Sequence, residues 1–276
     1  MRKEEIKKVV REGYAKIAKQ DSSCCAPVSS CCKSTDLAQG ISKSIGYTEE
    51  ELKAVPEGAN LGLGCGNPVA LASLREGETV LDLGSGAGFD CFLAANKVGK
   101  NGRVIGVDMT PEMIEKAREN ARKGNYGNVE FRLGEIENLP VADNSVDVVI
   151  SNCVINLAPD KGKVFTEAYR VLKQGGRLMV SDIVLLKKLP DSIKNSVEAY
   201  IGCLSGAIMR DEYIGAITAA GFQEVSIIDE LSFPLDCIAN DPTAKAIVEH
   251  LRIAPEEVKE VTNSVLSIKV HGVKPN

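Results

Sequence analysis

Apolar positions in residues 2 to 19 fall at Ile6, Val9, Val10, Tyr14 and Ile17, with Lys, Arg and Glu filling the other positions. That spacing gathers the apolar side chains on one face and predicts an amphipathic helix. The next stretch, DSSCCAPVSSCCKST, is rich in Ser and Cys and has no period, so a loop is expected there. Thr48 followed by Glu51 predicts a capping box on a short helix, and Asn67 with Pro68 predicts a second helix start directly after GANLGLGCGNP.

From residue 79 short apolar runs alternate with helical patterns. TVLDL, RVIGVD, NVEFRLG, VDVVIS and GGRLMVSDIV read as strands; helices are expected up to about Val98, in PEMIEKARENARKG, and up to Leu172. Such alternation specifies βαβ units, hence a parallel sheet with helices on both faces. Beyond it the pattern predicts a helix from about Asp211 to Ala220, a strand at Glu224 to Ile228, a helical stretch from Pro234 to Thr262 and a closing strand in SVLSIKVHGV. No repeat and no long linker is visible. The expected organisation is one α/β core over residues 75–230, preceded by N-terminal helices and a cysteine-bearing segment at 1–74 and followed by a helical insertion and closing strand at 231–276.

Composition narrows the function. The 276 residues are 44% apolar and 26% charged, ordinary globular usage, with no Trp and 4% aromatics. A formal charge of −5 and a pI near 5.3 offer no basic face to phosphate backbones or anionic lipid, so nucleic acid and membrane are not expected partners. The opening MRKEEIKKVV has no apolar run suited to a signal peptide or a spanning helix, so the cytoplasm is the expected location. In that reducing compartment nine cysteines, an odd count, read as thiols, metal ligands or redox groups and not as a disulfide framework.

The loop after VLDL is Gly84, Ser85, Gly86, Ala87, Gly88, a glycine turn that opens a helix. Its glycines allow a sharp turn and close ligand approach. Asp108 ends the second strand, where a carboxylate accepts hydrogen bonds from ribose hydroxyls or caps a helix; Glu135, after the third strand, meets an adenine edge or is a solvated loop carboxylate. The GxGxG spacing led by Asp82 differs from the GxGxxG of pyrophosphate-binding loops, and an acidic residue there repels a pyrophosphate but suits a cationic amino group. S-adenosylmethionine fits better than NAD.

Cysteine placement is the other chemical signal. Cys65 sits between Gly64 and Gly66 just before a predicted helix N-terminus, a setting expected to lower its pKa and expose its sulfur. Cys153 follows VDVVIS at the carboxyl edge, where open α/β sheets bind ligands, or is a small residue packing the sheet top. Cys203 lies among small residues in IGCLSGA, a functional thiol or part of a tight core helix. Cys91, between apolar neighbours, reads as buried packing, and Cys237 as a structural thiol. The vicinal pairs Cys24-Cys25 and Cys31-Cys32 read as an exposed tail or as exchange thiols. Adjacent pairs and singletons do not match the C-x2-4-C ligand pairs of structural zinc. Both histidines, His250 and His271, lie beyond the expected ligand edge, so no histidine general base is expected.

Through VLDLGSGAG, VIGVDMT, GEIENLP and LKQGGRLMVSD, residues 75 to 230 resemble the class I S-adenosylmethionine-dependent methyltransferases. That resemblance implies a Rossmann-like, seven-stranded, mostly parallel sheet, with Asp82, Gly84, Ser85, Gly86, Gly88, Asp108, Met109, Glu135, Ile136 and Asn152 around the methyl donor. Within the superfamily, YAKIAKQDSSCCAP, YTEEELKAVPEGANLGLGCGNPVALASL, VISNCVINLAPDK and YIGCLSGA resemble the arsenite methyltransferases across residues 14 to 220. This implies Cys65, Cys153 and Cys203 as the catalytic, arsenic(III)-binding thiols, Cys24 or Cys25 as a redox partner, an external thiol reductant of thioredoxin or glutathione type, and a monomer. Soft thiolates select soft, trivalent arsenic, whose free lone pair attacks a sulfonium methyl in line without a general base. Two other functions stay open at this stage: a methyltransferase for an organic acceptor such as a quinone, and an arsenic-sequestering module without turnover.

Overall fold

The computed structural model describes residues 2–20, 31–194, 196, 199, 203–232 and 261–276. Seven strands, β1 (Thr79–Leu83), β2 (Arg103–Asp108), β3 (Val129–Leu133), β4 (Val146–Asn152), β5 (Leu172–Leu185), β6 (Gln223–Ser232) and β7 (Val265–Val273), form one sheet in the order β3-β2-β1-β4-β5-β7-β6. β1 to β5 are parallel, and β7 runs antiparallel between β5 and β6.

The helices are α1 (Lys3–Gln20), α2 (Cys31–Ser44), α3 (Glu49–Lys53), α4 (Pro68–Leu71), α5 (Phe89–Val98), α6 (Pro111–Lys123), α7 (Lys161–Val171), α8 (Asp191–Lys194) and α9 (Arg210–Ala219). Because successive strand side chains point to opposite faces, the apolar runs build two cores at once. Leu81, Leu83, Val107 and Val149 meet Phe165 of α7 and Tyr213 and Ile217 of α9 on one face; Val80, Val104, Val148 and Ile150 meet Phe92 of α5 and Ile114 of α6 on the other.

Local signals behave as the sequence specifies at α3, where Thr48 and Glu51 close a reciprocal capping box, and at α6, which opens on Pro111 after Thr110. One expectation is corrected. Residues 31–35, read as loop, start α2: Leu37, Ala38 and Ile41 recur at helical spacing, and the helix begins at Cys31. The helical stretch expected at Pro234 to Thr262 lies outside the described residues up to position 260, as do Cys24, Cys25, Cys237 and His250. Among the described residues no helix is long and apolar enough to cross a membrane.

Candidate functional site

Strand order reverses between β1 and β4, the switch point at whose carboxyl edge open α/β sheets form a ligand crevice. A cavity lies there, lined by the β1 turn, the ends of β2 and β4, the Asn60–Gly64 segment and α1. In the β1 turn Gly84 has φ +68, and a Cβ on it would stand 2.3 Å from Val154. Gly86, φ +51, has open space where its Cβ would be, so the backbone is bare toward the crevice. Gly88 has a different role: it turns the chain into α5 at φ +96, packs where a Cβ would meet Phe131 and Phe92, and does not line the cavity.

The cavity is acidic. Among the described residues, Asp82, Asp90, Asp108, Glu135 and Glu137 line it against a single lysine, Lys7. Burial, reinforced by the charge of Asp90, pushes the Asp82 carboxyl well above its usual range, and Cys91 donates to it at 3.2 Å. Cys91 is therefore packed as expected, with a bonding partner as well. Asp108 accepts from the Gly86 amide at 3.0 Å and the Thr110 amide at 2.8 Å, which ties the glycine turn to the end of β2; burial raises its pKa. A cationic ligand reverses these desolvation costs. Ser85 Oγ and Asn60 Nδ2, both on the cavity, are buried without hydrogen-bond partners among the described residues. An acidic crevice with a bare glycine backbone and unused polar atoms fits S-adenosylmethionine, which carries both a sulfonium and an amino group. Met109, Ile136 and Asn152 also line it.

Helix α1 closes the crevice, a contribution the sequence did not announce. Lys7 pairs with Glu135 at 2.7 Å and Glu137 at 2.6 Å, so Glu135, expected free for an adenine edge, is already ion-paired. Val10 is buried, and Tyr14 lines the cavity while its hydroxyl is hydrogen-bonded to the Cys203 sulfur.

Beside the cavity stands a cluster of thiols. Cys65, Cys153 and Cys203 come from a loop, the end of β4 and a turn some 50 residues later, and all three are buried as free thiols in one apolar cluster with Val10, Leu157 and Ile183. The sulfur of Cys153 is hydrogen-bonded to those of Cys65 and Cys203, and Cys203 Sγ donates to the Cys153 carbonyl at 2.8 Å. Cys153 and Cys203 hold left-handed φ values of 58° and 63°, sparsely populated by non-glycine residues and characteristic of functional positions. Cys203 lies in a turn and not in a core helix. The expectation of an exposed, acidified Cys65 is corrected: the residue is 2% exposed, and burial raises its pKa, since α4 has only one turn and its dipole does not offset desolvation.

Asn152 explains how Cys65 reaches the cluster. Its Oδ1 accepts from the Cys65 amide at 3.0 Å, and its Nδ2 lies 2.8 Å from the Gly66 carbonyl, 2.9 Å from the Tyr47 hydroxyl and 3.1 Å from Asp90. A Cβ on Gly64 would stand 2.6 Å from Asn152 and one on Gly66 2.7 Å from Ser181, so the flanking glycines let the loop lie flat across the strand ends. Ser267 of β7 holds the Cys65 carbonyl at 2.7 Å. Asp182, missed in the sequence, also abuts the cluster: ligand atoms of Cys65, Cys153 and Asp182 lie within 4.8 Å of one another. The signal was present as the single charge inside the apolar run LMVSDIVLL. Of the three thiols only Cys153 also lines the cavity, which makes it the wall between the two compartments.

Residues 74–228 match a family described as methyltransferase domain. The chain is 53% identical over 231 residues to an arsenite methyltransferase of Halobacterium salinarum, covering 81% of this chain and 59% of that protein. It is 41% identical over 168 residues to the human arsenite methyltransferase, covering 58% and 44%. It thus spans about half the length of these two relatives. Among solved structures it resembles CrArsM, an arsenic(III) S-adenosylmethionine methyltransferase from Chlamydomonas reinhardtii, with a TM-score of 0.62 and 31% identity over 87% of this chain and 73% of that one.

Proposed function

The chain belongs to the methyltransferase domain family, and from that premise we propose that it methylates trivalent arsenic held by Cys65, Cys153 and Cys203, with S-adenosylmethionine as donor. The observation that carries this reading is Cys153, a member of the thiol cluster that also lines the acidic cavity. Names of the relatives point the same way.

Arsenite loads by exchange: each thiol sulfur bonds to arsenic, its proton leaves with a hydroxyl as water, and three exchanges give a neutral trithiolate that tolerates a buried, apolar setting. The lone pair of arsenic, unused by sulfur, then faces the cavity across Cys153. When bound, S-adenosylmethionine supplies an electrophilic methyl on a sulfonium. Gly84, Ser85 and Gly86 hold the donor by bare backbone and hydroxyl; Asp82 and Asp108 attract its cationic and hydroxyl groups; Met109, Glu135, Ile136 and Asn152 complete the wall. Positioning and exclusion of water supply the rate, without proton transfer to the acceptor.

Methyl transfer consumes the arsenic electron pair, leaving arsenic formally pentavalent, so two electrons must return. An external thiol of thioredoxin or glutathione type delivers them and leaves as a disulfide, with Cys24 or Cys25 as relay. The working form in this proposal is a cytoplasmic monomer. Arsenic-edge X-ray absorption on reduced protein loaded with arsenite tests the ligand set: three sulfur neighbours are expected for the parent chain, and two sulfurs with one lighter ligand for Cys153→Ser. An oxygen-dominated shell in the parent would end the proposal.

A further inference from the structure

Asp182 is the part of the thiol cluster that arsenic capture leaves without a task. It is fully buried; Oδ1 accepts from Asn156 Nδ2 at 2.8 Å and from the Ile183 amide at 2.9 Å, and Oδ2 accepts from the Tyr213 hydroxyl at 3.0 Å. The Asn156 backbone also bonds to this carboxylate, so its roughly four lone-pair directions are shared among protein donors, and a metal would take one of them in place of a hydrogen bond. One carboxylate oxygen lies within 4.8 Å of both Cys65 Sγ and Cys153 Sγ.

Trivalent arsenic makes three bonds, prefers sulfur and has no need of a hard oxygen donor. A d10 divalent cation is different: zinc(II) accepts Cys and Asp together and completes a tetrahedron. Charge favours it as well. Two thiolates and a carboxylate around a dication leave one negative charge, and Lys161 stands close by: its Nζ lies 3.4 Å from the Asn156 carbonyl and 3.3 Å from that of Ala158, where burial lowers its pKa and the charges of Asp182 and Cys203 oppose that shift. These ligands are not paired close together in the chain; the fold assembles them from the end of β4, from β5 and from the Cys65 loop.

We propose that the thiol cluster is also a site for a thiophilic divalent cation, zinc(II) or cadmium(II), bound by Cys65, Cys153 and Asp182 with Cys203 or water in the fourth position, and therefore exclusive of arsenite. With water in the fourth position, binding forms two metal–sulfur bonds and releases two thiol protons to solvent; with Cys203 there, it forms three and releases three. The inference stands on the cluster itself and does not require that arsenic be the methyl acceptor.

The test uses the reduced chain with Cys24, Cys25, Cys31, Cys32 and Cys237 replaced by Ser, so that the cluster thiols and the buried, Asp82-bonded Cys91 are the thiols left. Cadmium chloride is titrated while thiolate-to-metal charge-transfer absorption is followed, with and without prior arsenite, in the Asp182 and Asp182→Asn forms. One cation per chain is expected, blocked by arsenite, with affinity lowered about tenfold or more by Asp182→Asn and arsenite affinity unchanged. Zinc-edge X-ray absorption of the form retaining Asp182 needs no substitution at the site, and should give sulfur neighbours at about 2.3 Å with an oxygen near ~2.0–2.2 Å. A sulfur-only shell, or cadmium binding indifferent to arsenite, overturns the proposal. Arsenite turnover by the parent chain is scored separately: methylation without cation binding sinks only this inference, and cation binding without methylation sinks only the functional reading.

Discussion

Asn152 is the peg that holds Cys65 in the cluster, and its replacement gives a graded outcome. Two N–H groups serve acceptors at 2.8, 2.9 and 3.1 Å, and Oδ1 takes the Cys65 amide at 3.0 Å, so at most three bonds form at once. Two of these, to the Cys65 amide and the Gly66 carbonyl, reach the loop; at roughly 0.5–1.5 kcal/mol net for each, Asn152→Ala removes about 1–3 kcal/mol from its docking. Tenfold in affinity corresponds to about 1.4 kcal/mol, so arsenite binding should weaken by at least about fivefold, with a ceiling near ~150-fold. Asn152→Asp should be worse near neutral pH, since it sets a second carboxylate 3.1 Å from Asp90 and turns a donor into an acceptor facing the Gly66 carbonyl. Asp90 titrates at about 6, raised by burial, so the Asp variant should recover part of its loss below that value. The assay is titration of reduced protein with arsenite, followed by arsenic–thiolate absorption, with donor affinity measured in parallel. An Ala variant binding arsenite like the parent, or an Asp variant milder than Ala near neutral pH, refutes the peg.

Three further outcomes follow from the geometry. Gly84→Ala should abolish measurable donor binding in calorimetry and lower the melting temperature, because a Cβ there would meet Val154 at 2.3 Å from a backbone at φ +68. Asp182 keeps its proton up to about 6 in the folded chain but releases it near 3.8 when unfolded; the stability it contributes is therefore full below 3.8 and is lost as pH rises to about 6, a fall of about 3 kcal/mol that denaturant titrations should find missing from Asp182→Asn. Lys7→Met leaves Glu135 and Glu137 facing each other without their shared cation, so amide exchange in α1 should accelerate while exchange in β1 and β4 stays slow.

The sheet was legible in the chain because each strand is a short apolar run closed by a turn signal, and the two buried faces of TVLDL or VDVVIS leave no competing periodicity. The order of β6 and β7 was not, since a closing strand carries no mark of the neighbour it inserts beside. At the site, the glycine turn, Asp108 and Cys153 were readable from their positions at strand ends, whereas Cys65 was misjudged: glycine neighbours and a helix start suggested exposure, and only packing against Asn152, Ser181 and Ser267 buries it. Asp182 could have been suspected as a lone charge in an apolar strand. Lys7 and Tyr14 could not, because an amphipathic helix displays the same pattern whether it covers a ligand crevice or plain core.

Methyl transfer to thiol-held arsenic is tested most directly by incubating reduced protein with S-adenosylmethionine, arsenite and excess thiol, then separating arsenic species by chromatography with elemental mass detection, for the parent chain and for Cys153→Ser. The account predicts methylated arsenicals from the parent and none from the Ser variant. No methylated arsenic from a parent chain that binds both ligands, or equal production by Cys153→Ser, contradicts it.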